Sequence, residues 1–238
     1  WPMPAYDWAA NAASGYEWWL RRLQREQRFA DVVRIDHFRA FADWWSVPAG
    51  EPSSAGRWEL GPGAAFFELV RERLGALRIV VEDLGAETEP LQQLRRETGL
   101  PQMRVLVQGL DEDPSSPHLP DAWNGPEAAY TDTHDFDTIA GWASRASEER
   151  LAFAFELTGT DTIEDLPRAA IELVADSRAR YAIAPLQDWL ELGSDARMNV
   201  PGTAVGNWRW IAPAGAFSET LAEEMAAVAT WSLRGGAE

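Results

Sequence analysis

No cysteine occurs among the 238 residues. Disulfides, zinc–thiolate centres and cysteine nucleophiles are therefore excluded. No apolar run is long enough to span a bilayer, so no membrane partner is expected. Basic side chains are outnumbered, 21 Lys and Arg against 38 Asp and Glu, for a formal net charge of -17. A surface of that sign repels phosphates, which argues against nucleic acid and other polyanions. A neutral substrate tolerates it, and it favours solubility. Neither an Asn-x-Ser/Thr acceptor nor a signal-peptide pattern is read, and the expectation is a reducing, cytoplasmic home. The glycine fingerprint of a dinucleotide site is missing. Gly61-Pro62-Gly63 lacks the Lys-Ser/Thr of a phosphate loop, and Asp111-Glu112-Asp113 lacks the glycine and terminal glutamate of a calcium loop. No G-x-S-x-G or serine-triad order is seen. The chain starts at Trp1 rather than Met, inside what reads as folded sequence, and an upstream segment is expected.

What is present is a core and a rhythm. Hydrophobic residues make up 46% of the chain, enough for one large domain or two small ones. The 13 tryptophans fit a Trp-rich core, and flat aromatic faces also suit the C–H faces of sugar rings. Short apolar runs alternate with helical patterns. Strands are expected to end at Asp36, to cover 78–81, 103–107 and 128–131, and, weakly, 181–184. Helices are expected over 11–29, 64–74, 88–98, 138–144, 147–157, 163–178 and 218–233, with loop over 40–58, 111–126 and 195–210. Strands apolar throughout are the kind that helices cover on both faces of a parallel sheet. Five such units are read where a closed barrel needs eight. The expected fold is α/β, an incomplete (β/α)8 TIM barrel lacking its first strands; the rival is a doubly wound sheet of five strands.

Three of these strands end in acid, at Asp36, Glu82 and Asp135, two of them with an adjacent histidine, His37 and His134. In a parallel barrel, strand ends gather at one face. Two carboxylates flanking a bond are what retaining glycosidic chemistry requires: one attacks the anomeric carbon, the other protonates the leaving oxygen. A third can stabilise the cationic transition state. The plainer reading of any single one is a cap or an ion pair, as with Asp36 beside Arg34. A metal site across Thr133-His134-Asp135-Phe136-Asp137 is a further alternative.

These residues also carry a resemblance. Arg34-Ile35-Asp36-His37-Phe38-Arg39, Val81-Glu82-Asp83-Leu84-Gly85, Tyr130 to Thr138, and Met198-Asn199-Val200-Pro201-Gly202-Thr203 together resemble the 4-α-glucanotransferase family, which includes amylomaltase and the disproportionating enzymes, glycoside hydrolase family 77. Leu100 to Leu106 and Gly206-Asn207-Trp208-Arg209-Trp210 resemble two further family segments. The resemblance implies the C-terminal part of a catalytic (β/α)8 barrel, spanning residues 1–238. By motif match it makes Asp36 the nucleophile, Glu82 the general acid/base and Asp135 the transition-state stabiliser. Arg34 would steady the nucleophile, and His37 and His134 would contact the sugar. Trp1, Asp111 and Asn199 fall in segments that line the glucan groove. The implied substrates are α-1,4-glucans and maltooligosaccharides, and no metal or organic cofactor is implied. An α-glucan hydrolase and a silent, glucan-binding fragment are the alternatives, and the isolated chain is expected to be poorly active. Ala40 and Asp132 stand where the family commonly has Gly, and Phe136 where it has Asn, which bears on subsite shape and acceptor preference.

Overall fold

The computed structural model describes residues 3–111 and 114–232. The chain forms two compact units, Trp1–Met103 and Arg104–Glu238.

In the first unit, α1 (Trp8–Ala13) and α2 (Glu17–Glu26) lead to β1 (Val33–Ile35). A 3-10 turn at Phe38–Phe41 is followed by β2 (Asp43–Ser46), β3 (Arg57–Leu60), α3 (Gly63–Leu74), β4 (Ile79–Val81) and α4 (Glu89–Thr98). β1 and β4 run parallel, with Val33 opposite Ile79, Arg34 opposite Val80 and Ile35 opposite Val81. Gln102 extends this pairing on the far side of Val81. The strands are held by one apolar cluster in which Trp19, Leu23, Phe38, Phe41, Phe66 and Val81 are buried. Aromatic rings interlock at its centre, with Phe41 5.2 Å from both Phe66 and Phe67. Helix α4 shows how local sequence sets the boundaries. The Thr88 hydroxyl caps it by accepting from Leu91 N–H, a proline sits in the first turn, and Gly99 ends it at φ 58°.

In the second unit, β5 (Met103–Val105, which begins at the unit boundary) is followed by α5 (Leu106–Asp111), β6 (Ala128–Tyr130), α6 (Ile139–Ala143), α7 (Glu148–Thr158), α8 (Leu166–Asp176), β7 (Tyr181–Ile183), α9 (Leu186–Trp189) and α10 (Glu219–Trp231). The sheet order is β5-β6-β7, and β6 and β7 are parallel, with Tyr130 opposite Ile183. Amphipathic α8 buries Leu166, Ala170, Ile171 and Val174, and Val228 of α10 packs on Ile171 and Ala175. Among the described residues no helix is long and apolar enough to cross a membrane.

The expected α/β alternation is present, with all five expected strands. Three expectations need correction. The 11–29 helix is two helices, broken where Gly15 and Tyr16 turn left-handed at φ 64° and 56°. The supposed loop 40–58 contains β2, which pairs antiparallel with β3. At the open end of that hairpin Gly61 N–H donates to Ala42 O at 2.9 Å, a close approach that only glycine permits, because a Cβ there would lie 2.4 Å from the Phe41 carbonyl. Finally, the strand expected over 103–107 stops at Val105, and α5 takes over.

Candidate active site

The first unit carries Arg34, Asp36, His37 and Glu82 together. Asp36 and Glu82 are the residues immediately after the paired Ile35 and Val81. The ladder continues past the strands: Glu82 N–H donates to Ile35 O at 2.9 Å, and Phe38 N–H donates to Glu82 O at 2.7 Å. His37 lies between them in the left-handed region, at φ 51°. That conformation costs a non-glycine residue on the order of 1 kcal/mol, and strained backbone of this kind concentrates at functional sites. It turns the chain out of β1 and points the His37 N–H at the Glu82 carboxylate, 2.7 Å from Oε2. Glu82 Oε1 accepts from Leu84 N–H at 3.0 Å. Arg34 lies 3.5 Å from Asp36 and also reaches Met103 Sδ, at 3.1 Å. The Asp36 side chain is 76% exposed.

The neighbouring acid has a different part. Asp83 is buried and ion-paired with Arg95, which also binds Glu87 at 2.5 Å. This pair anchors the strand end that presents Glu82. Asp83→Ala would leave the largely buried Arg95 guanidinium with only Glu87 and the residue-83 carbonyl as partners, and is expected to cost about 1–3 kcal/mol of unfolding free energy in urea titration. On the other side, Asp43 accepts from Arg39 at 3.0 Å and from Thr88 at 3.2 Å, while Arg39 lies over Trp58 at 4.7 Å. The β2–β3 hairpin is thereby tied to the loop after Glu82.

The second unit assembles His134, Asp135 and Asn199. Both Asp135 oxygens are engaged: Asn199 Nδ2 donates to Oδ1 at 2.5 Å, and His134 Nε2 is 3.2 Å from Oδ2. Asn199 N–H donates to His134 O at 3.0 Å. Two residues that sequence reasoning did not single out complete the arrangement. Arg197 donates to the carbonyls of Asp135 at 2.6 Å and Asn199 at 2.8 Å, and the Trp208 ring lies 5.1 Å from that of His134. Their only signals were proximity to Asn199 and membership of the 206–210 segment.

Asp111 ends α5 and accepts from Trp142 Nε1 at 2.8 Å; among the described residues no hydrogen bond joins it to the Asp135 cluster. Trp1 lies outside the described residues, as do Glu112 and Asp113. Among the described residues no group of three or more His, Asp or Glu is arranged to hold a metal.

In the second unit three acids, Asp132, Asp137 and Asp188, lie buried within electrostatic reach of one another. Asp188 accepts from Thr131 at 2.5 Å and from Ile139 N–H at 2.9 Å. Asp137 accepts from Thr138 N–H at 3.0 Å and from Ser194 at 2.8 Å, and pairs with Arg145. The fit is close at Gly141, where a Cβ would meet Asp137 Oδ1 at 2.5 Å. Asp132 is 3% exposed and faces a hollow of about 100 Å³ shared with Thr133, His134, Phe136, Gln187 and Arg197. Burial pushes its carboxyl up to about 9, helped by Asp188 and Asp137 and opposed by Arg197. Burial likewise pushes Asp188 up to about 6. A larger hollow, about 390 Å³, lies on the first unit beside Tyr6, Asn11, Ser14 and Trp18. It holds none of the sequence-predicted residues.

A raised acid binds its proton more tightly folded than unfolded. Between about pH 4, where unfolded aspartate titrates, and about 9 the native state holds a proton that unfolding releases, so Asp132 lowers stability as pH rises through that window. Calorimetry of Asp132→Asn is expected to show a Tm advantage over the parent that is small at pH 4.5 and grows towards pH 9.

The family profile described as 4-alpha-glucanotransferase matches residues 1–215. The chain belongs to this family. It is 41% identical over 225 residues to the chloroplastic/amyloplastic 4-alpha-glucanotransferase of Solanum tuberosum, covering 94% of this chain and 39% of that one. It is 44% identical over 213 residues to the 4-alpha-glucanotransferase of Synechocystis sp., covering 88% and 42%. Its structure is similar to an amylomaltase from Streptococcus agalactiae in complex with acarbose, with a TM-score of 0.93, 30% identity, and coverage of 99% of this chain and 48% of the other. The chain spans about two fifths of the length of the curated family members it matches.

Proposed function

We propose that this chain carries the catalytic carboxylates of a retaining 4-α-glucanotransferase, and that its five parallel-type strands belong to a (β/α)8 barrel. The observation that carries the reading is the in-register ending of β1 and β4, with Asp36 and Glu82 each one residue past Ile35 opposite Val81. Adjacent strands lie about 4.8 Å apart, and the retaining route asks for carboxyl groups about 5–5.5 Å apart.

On this reading the Asp36 carboxylate attacks the anomeric carbon of an α-1,4-glucan. Glu82 gives its proton to the departing 4-oxygen, and a glycosyl ester forms on Asp36. The 4-hydroxyl of an acceptor glucan then attacks the ester carbon while Glu82 takes that hydroxyl proton. Two inversions restore the α configuration. Arg34, within reach of Asp36, steadies the carboxylate before attack and as it leaves. Asp135 opposes the positive charge of both transition states. His37 and His134 contact the sugar, and Asp111, Asn199 and Trp1 contribute to the glucan groove. No step calls for a metal or organic cofactor.

The test is incubation of the full-length protein with maltotriose. A ladder of longer maltooligosaccharides is the expected result. Glucose and maltose alone would mean that water replaces the acceptor and the chemistry is hydrolysis.

A further inference from the structure

Arg197 touches both partners of the Asn199–Asp135 hydrogen bond through their main-chain carbonyls. Its NH2 group donates to Asp135 O and its Nε to Asn199 O. Asn199 in turn grips Asp135 Oδ1. Both contacts from Arg197 go to neutral carbonyls, and a guanidinium prefers a carboxylate when one is within reach. Such a carboxyl is at hand. Asp132 acts electrostatically on Arg197 and lines the same hollow. It is almost wholly buried, and among the described residues its carboxyl makes no hydrogen bond. Its neighbours Asp137 and Asp188 have protein partners.

We propose that Arg197 is the positioning residue that holds Asp135 and Asn199 together, and that Asp132 governs it: neutral, Asp132 leaves the guanidinium on the two carbonyls, and ionised, it draws the guanidinium into the hollow and loosens the pair. The groups facing Asp132 are Asp188 on α9, Asp137 in the turn before α6, Arg197 after the 3-10 turn at Ser194–Ala196, and His134 on its own loop. Arg145 reaches Asp137 from beyond α6. Two carboxylates and one guanidinium thus act on Asp132, and burial, with repulsion by the acids added to it, keeps the proton in place at neutral pH. The 100 Å³ hollow gives the guanidinium room to move without repacking the core. The functional part of the proposal rests on Asp135 acting as transition-state stabiliser.

The test is carbon- and nitrogen-detected NMR of arginine-labelled full-length protein from pH 7 to 10. In the parent, the Arg197 Nε–Cζ resonance is expected to move with a midpoint near 9, where the Asp132 carboxyl titrates. In Asp132→Asn it is expected to stay still. No movement in the parent overturns the proposal, as does an unchanged titration in the variant; the first comparison stands even where the variant fails to fold. In parallel, the alkaline limb of kcat/KM for maltotriose transfer is expected to move up by at least about one pH unit in Asp132→Asn. If the protein transfers no glucan, that arm is lost and the proposed function with it, while the NMR arm still decides the role of Arg197. Arg197→Lys separates positioning from bulk stability. Lysine keeps the charge but reaches one carbonyl at a time, so kcat is expected to fall about tenfold or more with KM nearly unchanged. Equal kcat in the lysine form would sink the positioning role.

Discussion

Asp36→Asn is expected to lower transfer between maltooligosaccharides at least about 10⁴-fold, the scale on which loss of a covalent nucleophile is felt. The amide keeps the shape of the carboxylate but cannot displace a glycosidic oxygen. Folding should survive, because the Asp36 side chain is 76% exposed and its contact with Arg34 is long, at 3.5 Å; an exposed pair of this kind contributes on the order of 0–1 kcal/mol. The measurement is the initial rate of ladder formation from maltotriose, with thermal unfolding run alongside. A variant of parental Tm retaining more than about a tenth of the rate would assign the ester to another residue. The complementary form, Asp36→Gly, leaves space where the ester would stand. Supplied with a β-maltosyl fluoride, which has the configuration of that ester, it is expected to regain transfer to an acceptor with Glu82 as base.

Glu82→Gln is expected to lower glucan transfer by about 10²–10⁴-fold, the usual contribution of a positioned proton donor. Here the donor matters more than the rate. An α-maltosyl fluoride expels fluoride without a proton, so release of the first fluoride should be nearly as fast as in the parent. Turnover should then stall, because the acceptor hydroxyl has lost its base. Equal losses with glucan and fluoride would show that Glu82 positions rather than transfers protons. The substitution has a structural cost that must be read separately. Both Glu82 oxygens accept backbone N–H groups, from His37 and Leu84, and glutamine can accept only one. The other N–H then meets an amide NH2, at a cost of about 1–3 kcal/mol. A fall in Tm accompanies the kinetic effect on this account, and the comparison between donors is unaffected by it.

The contrast between Glu82 and Asp83 shows what could be read before the structure. Position in the chain identified a strand that ends in two acids. Which acid meets only backbone N–H groups and which is locked to Arg95 depends on α4 packing alongside, and one sequence does not show that packing. The parallel strands were legible because each is a short apolar run flanked by charge or glycine. The β2–β3 hairpin was not, because Pro48, Gly50, Pro52 and Ser53 dominate its connection and its strands mix Asp43, Ser46, Arg57 and Glu59 with their apolar residues. The helix over 11–29 was drawn too long because the apolar stripe of Tyr16, Trp19, Leu20 and Leu23 falls almost wholly in α2, and nothing in that stripe marks the left-handed turn at Gly15 and Tyr16. Asp132 was noted as an unusual residue, but burial of an acid is a tertiary outcome. It follows from Asp137 and Asp188 being brought beside it by segments up to 56 positions away, counting from 132 to 188. Arg197 was overlooked for a related reason: its partners are carbonyls, which carry no sequence signature.

The rung joining Ile35 to Val81 has a bearing on how such a protein can diversify. Because Asp36 and Glu82 are each one step beyond it, their separation is a ruler cut by the main chain rather than by the residues around them. A slip of one residue between the two strands would shift one acid by about 3.3 Å and turn it to the opposite face. Insertions in the turns that follow leave the ruler untouched. If the two acids act as proposed, mutation can therefore reshape the rim across many lineages without recalibrating the distance between them.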